Sequence, residues 1–321
     1  MNKKIIFLSI IILELWFSLS AKNKTYLYFN TTEKNINSIS FSKNYYVLAI
    51  PDGKTIKLFD ATNQNSICEF TGGHTDRILA LKISNDSTLL LSAGMDSSIV
   101  IWDLLNRNIK NKISNNGGII STIDITNDNK YLAFASTDKV VTIYDLSAKK
   151  IVNTWSKNSC EITTVKFSPN GKLLAIAGSD SYIYLYEIVT GKMIQILKGH
   201  SNWVRDIVFS DKGNEMTSCG DDSQVINWNI SNLENFEIIN RKKQSFSWLL
   251  SVDRYDPNCY AIGDIDGIVK IVENSLVYSI NLGVTINKIL FKRNENGYLN
   301  IVIATRGKGV VYIEAINMDV K

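Results

Sequence analysis

One short pattern recurs along the chain at nearly constant spacing and constrains the fold more than any other feature. A stretch of mostly apolar residues ends in Trp102-Asp103 and follows the pair Gly73-His74. The same residue types return at Gly199-His200 and Trp228. With Trp102 as the reference, equivalent positions follow one another at intervals of 41 to 44 residues: Phe59, Trp102, Tyr144, Tyr186, Trp228, Val272 and Ile313. We infer that one structural unit is repeated seven times.

Each repeat has the pattern of four short strands. In the fourth repeat, strands are predicted over residues 162–167, 173–177, 182–187 and 193–197, with turn residues such as Asn170-Gly171 between them. Repeats of about forty residues with four strands each are typical of β-propellers, in which each repeat forms one blade. The sequence therefore predicts an all-β fold, a seven-bladed β-propeller of four-stranded antiparallel blades.

The two ends of the chain are expected to meet in the last blade. Only eight residues follow Ile313, too few for a turn and a complete outer strand. Residues 25–30 alternate like a strand and belong to no repeat of their own. This N-terminal strand is predicted to complete the last blade, which would remove the exposed strand edges of an open ring.

The Gly-His pair, the aspartate in the turn before the third strand and the Trp-Asp dipeptide together resemble the WD-repeat β-propeller family, over about residues 24–317. The resemblance implies a hydrogen-bonded chain of four side chains across each complete blade. Here these structural networks are His74, Ser92, Asp96 and Trp102, and His200, Ser218, Asp222 and Trp228. Where the histidine is missing, Phe134 or Ile176 replaces the serine, as expected if a half-satisfied network costs more than an apolar core.

The resemblance also implies a partner-binding face. In the related family, one face of the ring presents the residue just before the inner strand of each blade. The register places Asn35, Arg77, Ile119, Glu161, Trp203, Trp248 and Thr285 there, with Met95 beside them. Tryptophan and arginine are enriched at interface hot spots, so a protein or peptide is expected near Trp203 and Trp248 on blades five and six. The alternative is that each indole packs over the loop of its own blade.

Other functional classes find little support in the sequence. Both histidines belong to Gly-His pairs, and the chain has neither a Gly-rich phosphate loop nor a Cys-x-x-Cys pair. A net charge of +4 with scattered Lys and Arg argues against a nucleic-acid partner. The neighbouring carboxylates Asp221 and Asp222 are expected to be structural, because they lie in a turn. We expect no enzyme activity, cofactor or metal; a carboxylate-only metal site in the central tunnel is the alternative.

The first residues differ in character from the rest of the chain. Residues 1–21 combine a short basic start, an apolar run and small residues near Ala21, and they are predicted to be a signal peptide, with the propeller over residues 22–321. Cleavage would leave an exported protein, periplasmic or extracellular, with no stable membrane insertion. The alternatives are an uncleaved anchor and a cytoplasmic protein.

These expectations combine into one functional hypothesis. The chain is predicted to be a non-enzymatic binding scaffold for proteins or peptides, exported, and a monomeric propeller within a larger assembly. The alternatives are a cytosolic scaffold subunit of a multiprotein complex and, third, a propeller enzyme or ligand binder with a metal in the tunnel.

Overall fold

A computed structural model describes residues 26–42, 46–115, 118–156, 160–232, 236–256, 259–273, 276–293 and 299–316. The predicted leader, residues 1–21, lies outside this part of the chain. The regular elements within it are all strands. No helix in these ranges is long and apolar enough to cross a membrane.

Seven four-stranded antiparallel sheets form the blades of the propeller, which confirms the predicted fold. The first four blades contain, in order, β2 (Ser40–Phe41), β3 (Val47–Asp52), β4 (Thr55–Asp60) and β5 (Ser66–Phe70); β6 (Ile78–Ile83), β7 (Leu89–Gly94), β8 (Ser98–Asp103) and β9 (Asn108–Ser114); β10 (Ile120–Ile125), β11 (Tyr131–Ser136), β12 (Val140–Asp145) and β13 (Lys150–Ser156); and β14 (Ile162–Phe167), β15 (Leu173–Gly178), β16 (Tyr182–Glu187) and β17 (Met193–Lys198). The last three contain β18 (Val204–Phe209), β19 (Glu215–Gly220), β20 (Gln224–Asn229) and β21 (Glu237–Lys243); β22 (Leu249–Asp256), β23 (Cys259–Asp264), β24 (Ile268–Glu273) and β25 (Leu276–Asn281); and β26 (Ile286–Arg293), β27 (Leu299–Thr305), β28 (Val310–Ile316) and β1 (Tyr26–Tyr28).

Burial changes from the inner to the outer strand of a blade, and the sequence pattern changes with it. Every residue of β15 is buried, because the second strand has a neighbouring blade on each of its faces. Such a strand must be apolar or small on both faces, as Leu173 to Gly178 are. The outer strand β13 is exposed or partly exposed along its whole length and alternates with polar residues. The strands predicted for the fourth repeat agree with the structure to within one residue.

The hydrophobic cores lie between adjacent blades. Trp102, only 2% exposed, packs in one cluster with Ala49 and Ile56 of blade one and Leu90 of its own blade. Its indole lies 5.1 Å from the ring of Phe70, centroid to centroid. Because each cluster takes side chains from two sheets, one blade cannot bury its apolar surface alone.

The first and last described strands close the ring, as predicted. Strand β1 pairs antiparallel with β28, with Tyr26 opposite Ile313 and Tyr28 opposite Val311. Directly after β1, the ring of Phe29 packs edge-on against Phe59 of blade one, 5.1 Å between centroids. Blade seven thus gains its fourth strand from the N-terminal side of the chain. The observed strand is shorter than the predicted 25–30, and residue 25 lies outside the described residues.

Candidate partner-binding face

One end of the blades carries the residues that the register identified. In six blades, the residue that begins the turn between the second and third strands donates its backbone N–H to the carbonyl of the residue just before the inner strand. These 2.9–3.0 Å bonds join Met95 to Arg77, Thr137 to Ile119, Ser179 to Glu161, Asp221 to Trp203, Ile265 to Trp248 and Arg306 to Thr285. We call this end of the propeller the upper face.

Glycines allow the turns of the upper face to press against the inner strands. A Cβ atom on Gly178 would lie 2.0 Å from the carbonyl oxygen of Glu161, and one on Gly220 would lie 2.2 Å from that of Trp203. No other residue fits this close an approach without movement of the backbone. The close packing fixes the height at which the side chain of Trp203 leaves the blade.

Asn35 lies on the same face through different contacts. It forms an isolated antiparallel bridge with Arg306 of blade seven. Its carbonyl also accepts a hydrogen bond of 3.3 Å from Arg77 Nη2 of blade two. The inner strand of blade one is two residues long and does not reach Asn35. Asn35 is instead held by blades seven and two, its neighbours on the two sides.

The predicted face is unevenly exposed. Trp248 is 47% exposed and Met95 is 38% exposed. Asn35 and Glu161 are exposed as well. The others are partly exposed: Arg77, Ile119, Trp203 and Thr285. The exposed aromatic surface therefore lies mainly on blade six.

Trp203 packs against its own blade. The guanidinium carbon of Arg205 lies 4.4 Å from the centroid of the indole, in cation–π geometry. Arg205 is held in turn by Asp221, to which its Nε and Nη2 donate bonds of 2.7 and 2.6 Å. The two neighbouring carboxylates therefore have different roles: Asp221 orients Arg205, whereas Asp222 binds His200. Trp203 and Arg205 form one rigid, partly exposed surface.

An exposed phenylalanine beside Trp248 was missed in the sequence. Phe246 is 99% exposed, and the ammonium of Lys243 lies 5.6 Å from its ring centroid. The serines on either side fix the loop, since Ser245 Oγ donates 2.8 Å to Asp264 Oδ2 and Ser247 Oγ donates to Asp266. The sequence contains one signal for this exposed residue, an aromatic side chain between two serines shortly before a predicted inner strand.

The two histidines lie inside the blades rather than on the upper face. In blade two, His74 Nδ1 lies 2.9 Å from Asp96 Oδ1, and Nε2 lies 2.7 Å from Ser92 Oγ. Trp102 Nε1 donates 2.8 Å to the same serine oxygen. Blade five repeats the arrangement with distances of 2.8–3.0 Å among His200, Ser218, Asp222 and Trp228. Neither imidazole has any solvent-exposed side-chain surface.

One proton arrangement satisfies every group of the blade-two network. With its proton on Nδ1, His74 donates to Asp96 and accepts at Nε2 from the Ser92 hydroxyl, which in turn accepts from Trp102. Burial lowers the pKa of His74, against the opposing attraction of Asp96, which favours this neutral form. The network is arranged to satisfy buried polar groups.

The carboxylates of the central channel hold adjacent blades together. Asp124 Oδ2 accepts 2.8 Å from the backbone N–H of Phe167, on the inner strand of the next blade. Asp253 Oδ2 likewise accepts 2.8 Å from Phe291 N–H. The inner strand is a sheet edge, and these bonds satisfy N–H groups that the edge leaves unpaired. In the described parts of the chain, no three His, Cys, Asp or Glu side chains come close enough to hold a metal ion.

Comparisons with known proteins agree with this architecture. A model of the anaphase-promoting complex subunit 4 WD40 domain matches residues 125–229, and one of the WD domain, G-beta repeat, matches residues 65–103.

Three relatives match shorter segments. The chain is 30% identical over 86 residues to the guanine nucleotide-binding protein subunit beta of Schizosaccharomyces pombe, covering 27% of this chain and 28% of that protein. It is 30% identical over 73 residues to a p21-activated protein kinase-interacting protein 1-like protein of Danio rerio, covering 22% and 20%. It is 31% identical over 71 residues to DDB1- and CUL4-associated factor 10 of Xenopus laevis, covering 22% and 16%. In each case the match spans less than a third of the relative.

The repeat models, the relatives and the seven blades point to the same conclusion. The matched segments carry the Gly-His and Trp-Asp pairs of blade two and the repeats of blades three to five. The structure continues the same blade through the remaining repeats. These findings together support a WD-repeat family for the chain.

Proposed function

We propose that this propeller is a non-enzymatic scaffold that binds a protein or peptide through its upper face, centred on Trp203, Phe246 and Trp248. One observation carries the proposal: the serine–aspartate bonds of blade six hold Phe246 almost fully in solvent, beside the half-exposed Trp248. A large apolar side chain fixed outward gains nothing for the fold, whereas burial under a partner stabilises a complex.

The charges around this centre indicate the kind of partner. Arg77 and Arg205 lie on the upper face, and so do Glu161 and Asp221. A polyanion would meet the carboxylate of Glu161 and would find Arg205 already paired with Asp221, so a segment of mixed charge with an apolar side chain fits better. Because Arg205 and Asp221 already hold each other, a partner orders few side chains on binding.

A pull-down from lysate of the source cells tests the proposal. The wild type is compared with the double variant Trp203→Ala, Trp248→Ala. Loss of one hot-spot side chain costs about 2 kcal/mol or more, which is roughly a 30-fold loss of affinity. The proteins retained by the wild type should therefore be lost.

The matched control removes exposed apolar side chains from the opposite end of the blades. Leu105 is 86% exposed and Val189 is 75% exposed, both in turns between a third and a fourth strand. The variant Leu105→Ala, Val189→Ala should retain the same proteins as the wild type. An unchanged set with the tryptophan variant, at an unchanged unfolding midpoint, refutes the upper-face site.

The proposal includes export of the propeller, as a monomer within a larger assembly. Its support is the composition of residues 1–21, a short basic start followed by an apolar run. The competing proposal is a cytosolic scaffold subunit that uses the same face. N-terminal sequencing of the protein from its source cells separates the two, since an intact Met1 contradicts cleavage.

A further inference from the structure

The inner strands of the seven blades enclose a channel with a volume of about 850 Å³. It extends from Asn37, Asn287 and Arg205 near the upper face to Asn85 and Asp211 at the other end. Its middle carries charged side chains, with lysines and aspartates in equal number: Lys82, Asp124, Lys166, Asp206, Asp253 and Lys288. Ligand-binding cavities carry a few polar or charged groups that fix the ligand, so a charged group of this channel without a close partner marks a candidate ligand site.

Two of the three lysines are neutralised within the wall. Lys82 Nζ lies 2.8 Å from Asp124 Oδ1. Lys288 Nζ forms an ion pair with Asp206, which also accepts 2.9 Å from Ser251 Oγ. These pairs join blades two and three, and blades five and seven. They satisfy the charges of both lysines.

Lys166 has no such partner. It occupies the same inner-strand position as Lys82 and Asp124, at intervals of 42 residues. Its ammonium makes no hydrogen bond or close ion pair with any residue in the described ranges. The exposed part of its side chain faces the channel.

The electrostatics of the channel make this amine unusual. Burial lowers the pKa of Lys166 to about 8, with a further contribution from the Lys288 ammonium, and Asp206 and Asp124 oppose the shift. At pH 7 the group is still mostly protonated. The wall therefore presents one partly exposed ammonium that Asp206 and Asp124 attract from a distance but that no described residue contacts by a hydrogen bond or a close ion pair.

We propose that Lys166 is the anchor of a carboxylate-binding site in the central channel, independent of the upper face. A carboxylate brings one negative charge and two acceptor atoms, which match the single unpaired ammonium. Phosphate at neutral pH carries more charge than a carboxylate, so the three aspartates of the same wall would repel it more strongly. The carboxylate comes from a small free acid or from an acidic side chain of a bound segment.

The test follows the titration of single lysines in the intact chain. Lysines methylated with ¹³C-formaldehyde give separate NMR signals, and the Lys166→Gln variant assigns the one that titrates near pH 8. Acetate is the first probe. An opposite charge within about 4–6 Å should raise the pKa of Lys166 by about one unit. The signals of the other lysines should stay in place, and chloride at equal ionic strength should produce no shift.

Two further probes identify the source of the carboxylate. Acetyl-Gly-Glu-Gly-amide is compared with its glutamine counterpart: a shift with the glutamate peptide assigns the site to acidic side chains, and a shift with acetate alone assigns it to small acids. The control Lys172→Gln, an exposed lysine of the same blade, should leave the response unchanged.

Two results would overturn the assignment: no acetate-dependent shift at Lys166, or a larger shift with inorganic phosphate. The double variant Trp203→Ala, Trp248→Ala should retain the acetate response, so failure of the channel site and failure of the upper face are distinguishable.

Discussion

The serine hydroxyl at the centre of the blade-two network is the most informative single group to delete. Ser92→Ala leaves Trp102 Nε1–H and His74 Nε2 without their partner, and all three residues are at most 4% exposed. A buried polar group without a partner costs about 1–3 kcal/mol. With two such groups, we expect the free energy of unfolding to fall by about 3 kcal/mol. Urea unfolding followed by near-UV circular dichroism measures it.

A double-mutant cycle separates the hydrogen bonds from packing. Trp102→Phe removes the indole N–H, so Ser92→Ala in that background leaves one unsatisfied group fewer and should cost about 1 kcal/mol less. Ser201→Ala, at an exposed serine next to His200, is the control and should change stability by less than about 0.5 kcal/mol. Strictly additive costs in the cycle would refute the idea that the serine hydroxyl serves both neighbours.

Three further predictions concern the histidine, the ring closure and the turns. Burial lowers the pKa of His74 below 6.5, so its contribution to stability is complete above pH 6.5 and is lost as the pH falls; proton NMR of wild type and His74→Asn checks this. Burial alone would raise the pKa of Asp52. Hydrogen bonds from Lys57 and from the N–H groups of Glu33 and Thr32 outweigh this effect and hold the pKa at about 2. Asp52→Asn should therefore cost about 2 kcal/mol above pH 3.8, with the cost disappearing as the pH falls through 2, and hydrogen exchange of β1 should accelerate. Gly220→Ala should lower the free energy of urea unfolding by about 1–3 kcal/mol, because its Cβ would overlap the Trp203 carbonyl.

The repeat architecture is readable from the sequence because its determinants are local. Alternation, turn residues and the position of Trp102 each lie within one repeat, and together they predict every blade and the closing strand. The upper-face register also follows, since the same backbone bond recurs between Met95 and Arg77 and between Asp221 and Trp203.

Contacts between distant residues were not predictable in the same way. The exposure of Phe246 depends on bonds from Ser245 and Ser247 to aspartates nineteen residues away. Lys82 and Lys166 look equivalent in sequence, and only the structure shows that Lys82 has an ion-pair partner whereas Lys166 has none within 4.0 Å among the residues that the structure describes. The repeat pattern predicts the backbone position of a residue. The residue that its side chain contacts depends on which side chain the neighbouring blade places opposite it.

The pairing of β1 with β28 has a consequence for how the molecule is made. Tyr26 is synthesised long before its partner Ile313, because six blades lie between them in the sequence. Until then the first strand has no edge to join, and the hydrophobic cores on both sides of blade seven are unfinished. Ring formation is thus a long-range step, which loop-closure entropy makes slow. The pairing of β1 with β28 therefore determines when the last blade, and with it the ring, is complete.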